Sequence, residues 1–294
     1  MAVSSQMRFY RRLPLFAAAC FLLTGFHDAR AQLQLTFGVD ASDKPSAMVQ
    51  QIRPTLDLLE RAAGQTLGEK VSISMVVESD YQLGIERLIQ GHSDFERLGP
   101  ASYVEAKKKA PGITIIAVER YGDSHFFEGV ICVNAASSIT RIEDLKGKSF
   151  AFGDEQSTIG RYLAQLYLVR HGIKAGDLKG FEYLNRHDRV GYAVASGQFD
   201  AGALEGTIFK KLVDQGVPIR QLASFQNVTK PWVARAGLDP RVIAALRQGL
   251  LGIHDKAALT ALRFDGFLPA ADKDYAIIRA SIIENPLFFN KPAS

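Results

Sequence analysis

Short apolar runs alternate with amphipathic stretches along most of the chain after residue 32. A short apolar run bounded by turn residues is typical of a buried strand, and apolar residues spaced by three or four positions are typical of a helix. The pattern predicts strands at residues 34–39, 71–77, 113–118, 129–133, 149–152, 180–184, 201–204 and 219–224. It predicts helices at residues 46–64, 81–90, 100–109, 141–145, 158–171, 189–196, 207–215, 240–253 and 256–263. Such alternation indicates an α/β fold with largely parallel sheets.

Two polar segments interrupt this alternation. ERYGDSHFFE at residues 119–128 and FQNVTKP at residues 225–231 separate strands without a helical pattern. Two interruptions suggest that the chain leaves one lobe, builds a second and returns. We therefore expect two α/β lobes joined by two crossover strands, with lobe one formed by residues 32–119 plus 228–294 and lobe two by residues 120–227.

The first 31 residues have the pattern of a signal peptide. Three arginines precede a largely apolar run at residues 13–26, and Ala29-Arg30-Ala31 offers a small-residue cleavage site. The run is too short for a membrane span, so we expect cleavage after Ala31 and a periplasmic protein. Cys20 suggests a lipoprotein acylation site as the alternative, but the apolar run continues past it, which argues against lipidation.

The charge balance argues against a nucleic-acid partner. The formal net charge is +4, but residues 1–31 contain four arginines and one aspartate, so the mature chain has a formal charge of +1. A nucleic-acid footprint needs a clustered basic face.

Cys132 is the one cysteine left after cleavage, and its apolar neighbours predict a buried hydrophobic side chain. The sequence also lacks the common nucleotide and metal motifs, so we expect no cofactor and no metal site.

The most informative stretch is SFAFGDEQSTIGRYLAQLYLVRHGI at residues 149–173. It predicts a strand, a polar turn and a helix whose first turn contains Ser157, Thr158 and Gly160. The first N–H groups of a helix have no intrahelical partner and lie at the positive end of its dipole, so they can hold a phosphate-like anion. The alternative is that Ser157 or Thr158 only caps the helix.

Further candidate residues follow predicted strands, where open α/β sheets present their ligand-binding crevice. Tyr81 and Tyr103 lie in the first turns of two helices, where a phenol can donate to an anion, although both can equally be core residues. A protonated His187 would give a charge-assisted hydrogen bond, unless it is a helix cap or a surface residue. Glu205 can accept from a ligand amine or a protonated oxygen, which makes it a selectivity candidate.

A hydrolase is the main enzymatic alternative. Ser157, His187 and either Asp200 or Glu205 would then be nucleophile, base and orienting acid. The sequence around Ser157 reads DEQSTIG and lacks the G-x-S-x-G of a nucleophile elbow. We therefore expect a binding protein and no enzyme activity.

Several segments resemble the PhnD-like family, the exported substrate-binding proteins of phosphate, phosphite and phosphonate ABC transporters, which have the type II periplasmic-binding-protein fold. The resemblance covers nearly the whole mature chain. It rests on DYQLGIERLIQGHSD at residues 80–94, LGPASYVEA at 98–106, IEDLKGKSFAFGDEQSTIGRYL at 142–163, and the C-terminal GLDPRVIAALRQGLLGI with DGFLPAADKDYAIIR.

The resemblance implies that two lobes close around a small phosphorus oxyanion. It implies that the head group is held by Ser157, Thr158, Tyr81, Tyr103 and His187. It also implies delivery of the ligand to an ABC transporter permease in the inner membrane, by a protein that we expect to be a monomer.

One departure from the family pattern leaves the ligand open. Members often read Ser-Thr-Ser-Gly where this chain has Ile159 after Thr158, so an apolar side chain replaces a hydroxyl donor. Ile159 either narrows the site or selects another ligand. The alternatives are the same fold with a sulfonate, a carboxylate or a cationic organic ligand, or a sensory protein that presents its ligand to a membrane receptor or kinase.

Overall fold

The computed structural model describes residues 1, 2, 32–124 and 126–290, and every structural statement refers to these residues. The predicted signal peptide and Cys20 fall almost entirely on residues 3–31, which lie outside the described residues. Within the described part of the chain, no helix combines the length and the apolar character needed to cross a membrane.

The first third of the described chain alternates strands and helices as the pattern predicts. Its longest helix begins with a proline in its first turn and ends at Gly68, whose left-handed conformation suits a glycine cap. The elements are β1 (Gln32–Asp40), α1 (Pro45–Leu67), β2 (Lys70–Glu78), α2 (Tyr81–Ile89), β3 (Phe95–Arg97), α3 (Pro100–Lys109) and β4 (Thr114–Arg120).

The middle third contains a π-helical segment, Thr158–Leu163, that continues directly into a short α-helix. Two 3-10 helices, Ile142–Leu145 and Ala175–Asp177, lie in its connections. The other elements are β5 (Phe126–Asn134), β6 (Ser149–Phe152), α4 (Ala164–Arg170), β7 (Gly180–Tyr183), α5 (His187–Ala195), β8 (Ala201–Glu205), α6 (Gly206–Asp214) and β9 (Ile219–Val228).

The last third is mainly helical. Two 3-10 helices, Asp272–Tyr275 and Asn285–Phe289, flank the final α-helix. The elements are β10 (Pro231–Ala234), α7 (Pro240–Leu251), α8 (Lys256–Leu262), β11 (Gly266–Leu268) and α9 (Ala276–Glu284). The short strands β3, β10 and β11 and the helix α9 are absent from the elements that the sequence pattern predicts.

The described strands form two mixed sheets. Sheet one has the order β11-β4-β10-β3-β1-β2, and sheet two has the order β7-β6-β8-β5-β9. The expected parallel pairing holds for β1 with β2 and β3, and for β6 with β7 and β8. It is wrong for β10, β11, β5 and β9, which pair antiparallel with their neighbours. The two crossovers run in opposite directions between the sheets, from β4 to β5 and from β9 to β10, so β10 pairs antiparallel with β4 and β9 pairs antiparallel with β5.

The strands of each sheet come from separate stretches of the chain. We call residues 32–120 and 231–284 the sheet-one half, and residues 126–228 with 285–290 the sheet-two half. The final segment belongs to the second group because Phe288 packs against Phe152. The lobe boundaries at residues 119 and 228 stay a prediction.

Each sheet is packed between two clusters of buried apolar side chains. This packing fixes the position of the sheet, and with it the edge at which its strands end. In sheet one the register pairs Asp40 with Glu78, so β1 and β2 end at the same edge. In sheet two Ala151 pairs with Gly202, so the segments after β6 and β8 also leave from one edge. Cys132 is fully buried in β5, as its apolar neighbours predict.

Candidate functional site

Helices from both halves begin at one small cavity. Its lining includes the first residue of α2, α3, the π-helical segment and α5, and the N-cap residue of α6. The cavity volume is about 10 Å³, room for roughly one water molecule, so the site is tightly closed in this structure. Five of the predicted site residues line it: Tyr81, Ser157, Thr158, His187 and Glu205.

Ser157 and Thr158 are buried at the start of the π-helical segment, and each hydroxyl oxygen already accepts a backbone N–H. Ser157 Oγ accepts from Gly160 at 2.9 Å, so the capping interpretation is confirmed for this residue. Thr158 Oγ1 accepts from Ala101 at 2.7 Å, and Ala101 lies in the first turn of α3 in the sheet-one half. A hydroxyl keeps its hydrogen when its oxygen accepts, so both groups can still donate to an anion.

Gly160 lies behind the cavity wall and is not among the residues that line the cavity. Its O accepts from the Gly153 N–H at 2.9 Å, and a Cβ added to Gly160 would lie 2.7 Å from Gly153 Cα. Because that separation is too short for two carbon atoms, this position requires glycine. Gly160 therefore positions Ser157 and Thr158 by allowing the helix start to pack on the end of β6.

Tyr81 is buried at the cavity, and its backbone N–H faces Asp154 Oδ2 of the sheet-two half at 3.4 Å. Burial raises the pKa of the Tyr81 phenol well above its usual value, and the nearby carboxylates Asp40 and Asp154 raise it further. The phenol therefore remains protonated and is a hydrogen-bond donor at neutral pH.

Tyr103 does not reach the cavity, contrary to the expectation from its place in α3. Its ring packs 4.8 Å from that of Tyr275, and its hydroxyl donates to Asp272 Oδ1 at 2.7 Å. The preceding residue, Ser102, does not line the cavity either, but it lies close to Gly99, which does. A Cβ added to Gly99 would lie 3.5 Å from Ser102 Oγ, a buried hydroxyl with no hydrogen-bond partner among the described residues.

His187 lies at the cavity as the first residue of α5, and its backbone N–H donates to Ser42 O at 3.2 Å. The predicted imidazolium is wrong for this structure, because burial lowers the pKa of His187 to about 4. The Nδ1 atom has no partner within the described ranges. A neutral imidazole still has one N–H, so His187 can donate one uncharged hydrogen bond.

Glu205 is not an unpaired carboxylate, because each of its oxygens already accepts a hydrogen bond. Its Oε2 lies 2.5 Å from Lys230 Nζ, and its Oε1 accepts from Thr207 Oγ1 at 2.7 Å. Burial alone would raise the pKa of Glu205, but the nearby Lys230, His187 and Arg97 together outweigh burial and lower the pKa to about 2. Glu205 is therefore a carboxylate paired with a lysine.

The second crossover contributes two residues that sequence reasoning missed. Lys230 lines the cavity with only 7% of its surface exposed, in the connection between β9 and β10. Asn227 is buried at the end of β9, and neither atom of its amide has a partner in the part of the chain that the structure describes. Buried amides are nearly always hydrogen-bonded, so an orphaned one in a cavity wall points to a ligand. The FQNVTKP segment contains both residues. It lacks the periodicity from which the sequence could predict that their side chains face the cavity.

The remaining walls are apolar. Ile159 and Phe127 are both buried and line the cavity. Ile159 therefore faces the site. The hydrolase alternative has no assembled triad with Asp200. That carboxylate directly precedes β8 and accepts from Ser149 at the start of β6, whereas Glu205 lies at the opposite end of β8. No group of three or more potential metal ligands occurs in the described ranges.

Two α/β halves with helix N-termini meeting at a cavity are the architecture of a two-lobed substrate-binding protein, and the fold is the type II periplasmic-binding-protein fold. The model of the family described as "ABC transporter, phosphonate, periplasmic substrate-binding protein" matches residues 37–275, and the chain belongs to this family. The family contains substrate-binding proteins of transporters and not enzymes, so the expectations of fold, family and a non-enzymatic protein are confirmed.

The chain is similar to a probable ABC transporter phosphite binding protein PhnD1 from Prochlorococcus marinus strain MIT 9301. The two are 30% identical over 160 residues, and the match spans 50% of this chain and 54% of that relative, about half of each. The solved structure of PhnD1 with methylphosphonate has a TM-score of 0.75 at 21% identity over 88% of this chain and 99% of that chain. A binding protein component of an ABC phosphonate transporter from Pseudomonas aeruginosa has a TM-score of 0.75 at 18% identity over 88% of both chains.

Proposed function

We propose that this chain is an exported binding protein that captures a small phosphorus oxyanion, such as a phosphonate, phosphite or phosphate, for an ABC transporter. The observation that carries the proposal is the meeting of helix N-termini from both halves at one buried cavity. Each N-terminus carries partial positive charge, which stabilises anions. The N–H groups of Tyr81, Ala101 and His187 are already bonded between the halves in this closed structure.

The side chains of the cavity supply the matching donors. Ser157 and Thr158 keep their hydroxyl hydrogens, Tyr81 remains a protonated phenol, and Asn227 has a free amide. Lys230 adds the positive charge that makes hydrogen bonds to an oxyanion shorter and stronger. A tetrahedral oxyanion offers three or four acceptor atoms to this set.

The apolar walls favour some phosphorus oxyanions over others. Ile159 and Phe127 offer no donor to a fourth oxygen. Methylphosphonate and phosphite each have one non-oxygen substituent on phosphorus, a methyl group or a hydrogen, which can face these walls without losing a hydrogen bond. We therefore expect tighter binding of these two ligands than of phosphate, since a buried oxygen without a donor costs about 1–3 kcal/mol.

Ligand entry requires the two halves to separate. The Ala101 N–H reaches Thr158 from the opposite half, and the backbone N–H of His187 reaches Ser42 in the same way. A closed state that buries its ligand and an open state that releases it are the usual states of binding proteins with hinged domains. Export through a signal peptide cleaved after Ala31, a periplasmic location, a monomeric state and delivery to a membrane permease are parts of the same proposal.

Titration calorimetry of the protein purified from the periplasm tests this function. We expect one binding site per chain for methylphosphonate and phosphite, weaker binding of phosphate, and no binding of acetate at the same concentrations. Circular dichroism of the same sample establishes that it is folded. A folded sample that binds none of the phosphorus oxyanions contradicts the proposal.

A further inference from the structure

The Lys230–Glu205 ion pair is part of the cavity wall. Both residues line the cavity, and their side chains are only 8% and 5% exposed. Glu205 is the N-cap residue of α6 in sheet two, whereas Lys230 lies in the crossover that leads back to sheet one. The pair therefore joins the hinge to the site and places one cation and one carboxylate beside the anion-binding donors.

An unpaired carboxylate at this position would attract an ammonium group. A zwitterionic ligand such as an aminoalkylphosphonate has an anionic head and a cationic amine, and the amine would stabilise a buried carboxylate in a small cavity. Lys230 Nζ already lies 2.5 Å from Glu205 Oε2, and Thr207 holds the other oxygen. A ligand amine would meet a neutralised carboxylate and a second ammonium group.

The same lysine is suitably placed for an oxyanion. An ammonium group has three N–H donors, and Glu205 is the hydrogen-bond acceptor of Lys230 Nζ among the described residues. Two donors therefore remain. The Phe127 ring lies 5.7 Å from Nζ, which helps to keep the ammonium group beside the apolar wall.

We propose that the Lys230–Glu205 pair makes the site selective for phosphorus oxyanions without an amine, with Lys230 as an internal cation that donates to the oxyanion and blocks Glu205. This inference rests on the proposed function, because it specifies which ligands of that class the site accepts. Lys230 is then a specificity-determining residue.

Calorimetric titrations with methylphosphonate and 2-aminoethylphosphonate test the inference, using the exported protein and its Lys230→Met variant. We expect the original protein to bind methylphosphonate at least about tenfold more tightly, the scale of one charge-assisted hydrogen bond. In Lys230→Met, methylphosphonate should bind more weakly and 2-aminoethylphosphonate more tightly, because Glu205 is then free for the amine. An unchanged ratio of the two dissociation constants in a folded variant overturns the inference.

A double variant, Lys230→Met with Glu205→Gln, covers the case in which the single variant does not fold with an unpaired buried carboxylate. It should lose affinity for methylphosphonate without gaining any for 2-aminoethylphosphonate. Full retention of methylphosphonate affinity in this variant overturns the role of Lys230.

The matched control is Lys211→Met. Lys211 also forms a largely buried ion pair across the halves, with Asp43, but neither residue lines the cavity. Lys211→Met should leave the ratio of the methylphosphonate and 2-aminoethylphosphonate dissociation constants unchanged. A change of this ratio as large as that in Lys230→Met contradicts a specific role for Lys230.

If the original protein binds no phosphorus oxyanion, the proposed function fails. If it binds both ligands equally well, only this inference fails.

Discussion

The Thr158 hydroxyl joins the two halves at the site, since its oxygen accepts the Ala101 N–H at 2.7 Å while its hydrogen is free to donate. In the proposed function this hydrogen donates to the oxyanion, so Thr158 couples anion binding to closure. The oxygen of the neighbouring Ser157 hydroxyl caps its own helix and makes no contact between the halves.

Replacing Thr158 with valine keeps the shape of the side chain and removes both contacts. We expect the oxyanion affinity to fall by about 1–3 kcal/mol, the scale of losing a hydrogen bond to a charged group. Calorimetry against methylphosphonate measures this change. Thr140→Val is the control, because Thr140 is exposed and bonds Asp144 outside the site. Equal affinities for the original protein and Thr158→Val would remove Thr158 from the site.

The buried His187 should make the free energy of unfolding depend on pH. Burial lowers its folded-state pKa to about 4, whereas an unfolded histidine titrates near its usual value of about 6.5. Between these values the unfolded chain binds one more proton than the folded chain. The free energy of unfolding should therefore decrease as the pH falls from about 6.5 to about 4.

Urea unfolding at a series of pH values measures that dependence. The His187→Asn variant should show a shallower decrease over the same window, because it lacks the titrating group. His254→Asn, at an exposed position, should keep the slope of the original protein. Identical slopes for His187→Asn and the original protein would contradict a buried neutral histidine.

At the scale of elements, the start of the π-helical segment depends on a close approach of two backbones. Gly160→Ala would place a Cβ 2.7 Å from Gly153 Cα, and backbone atoms cannot move aside as cheaply as a flexible side chain. We expect a loss of about 1–3 kcal/mol in the free energy of unfolding, together with weaker oxyanion binding.

Thermal unfolding and calorimetry of Gly160→Ala test this prediction. Gly176→Ala is a suitable control, because the nearest atom to its added Cβ would be Asn290 Nδ2 at 3.8 Å. The control should retain both stability and affinity. A Gly160→Ala variant as stable as the control would contradict the role of this close contact.

Long elements with a strong local pattern were predictable from the sequence, and short ones were not. The helical spacing of the apolar residues in α1 and the apolar run of β6 determine the conformations of these elements from their own sequences. The three-residue strands β3 and β11 have too few residues for a pattern and are held by pairing with distant strands, which no local signal encodes.

The site shows the same difference between local and non-local information. Ser157 and Thr158 were predictable, because a strand, a polar turn and a helix start have a local signature. Tyr103 was mispredicted, because the side that it faces depends on how α3 is rotated about its axis. The position of Lys230 at the cavity was not predictable, because Lys230 lies in a crossover whose path is determined only when the whole chain folds.

At the scale of the whole molecule, we expect the complete site to form only when the two halves are closed. The Ala101 N–H is bonded across the halves, and exchange of its hydrogen with solvent requires their separation. A ligand that binds the closed state alone should slow this exchange. At a methylphosphonate concentration of about 100 times the dissociation constant, we expect roughly 100-fold slower exchange.

Hydrogen exchange measured for individual amides tests this coupling. The Ala110 N–H is the control, since it bonds Ala106 O within the same helix and needs no separation of the halves to exchange. Its rate should change less than that of Ala101. Equal protection of both amides by the ligand would contradict a site that forms by closure.

A crystal structure of the exported protein with methylphosphonate would locate the ligand. We expect the phosphonate in the cavity between the halves, with its oxygens about 2.7–3.2 Å from Thr158 Oγ1 and Lys230 Nζ. Its methyl group should face Ile159. Methylphosphonate bound elsewhere, with these groups arranged as they are in this structure, would contradict the account.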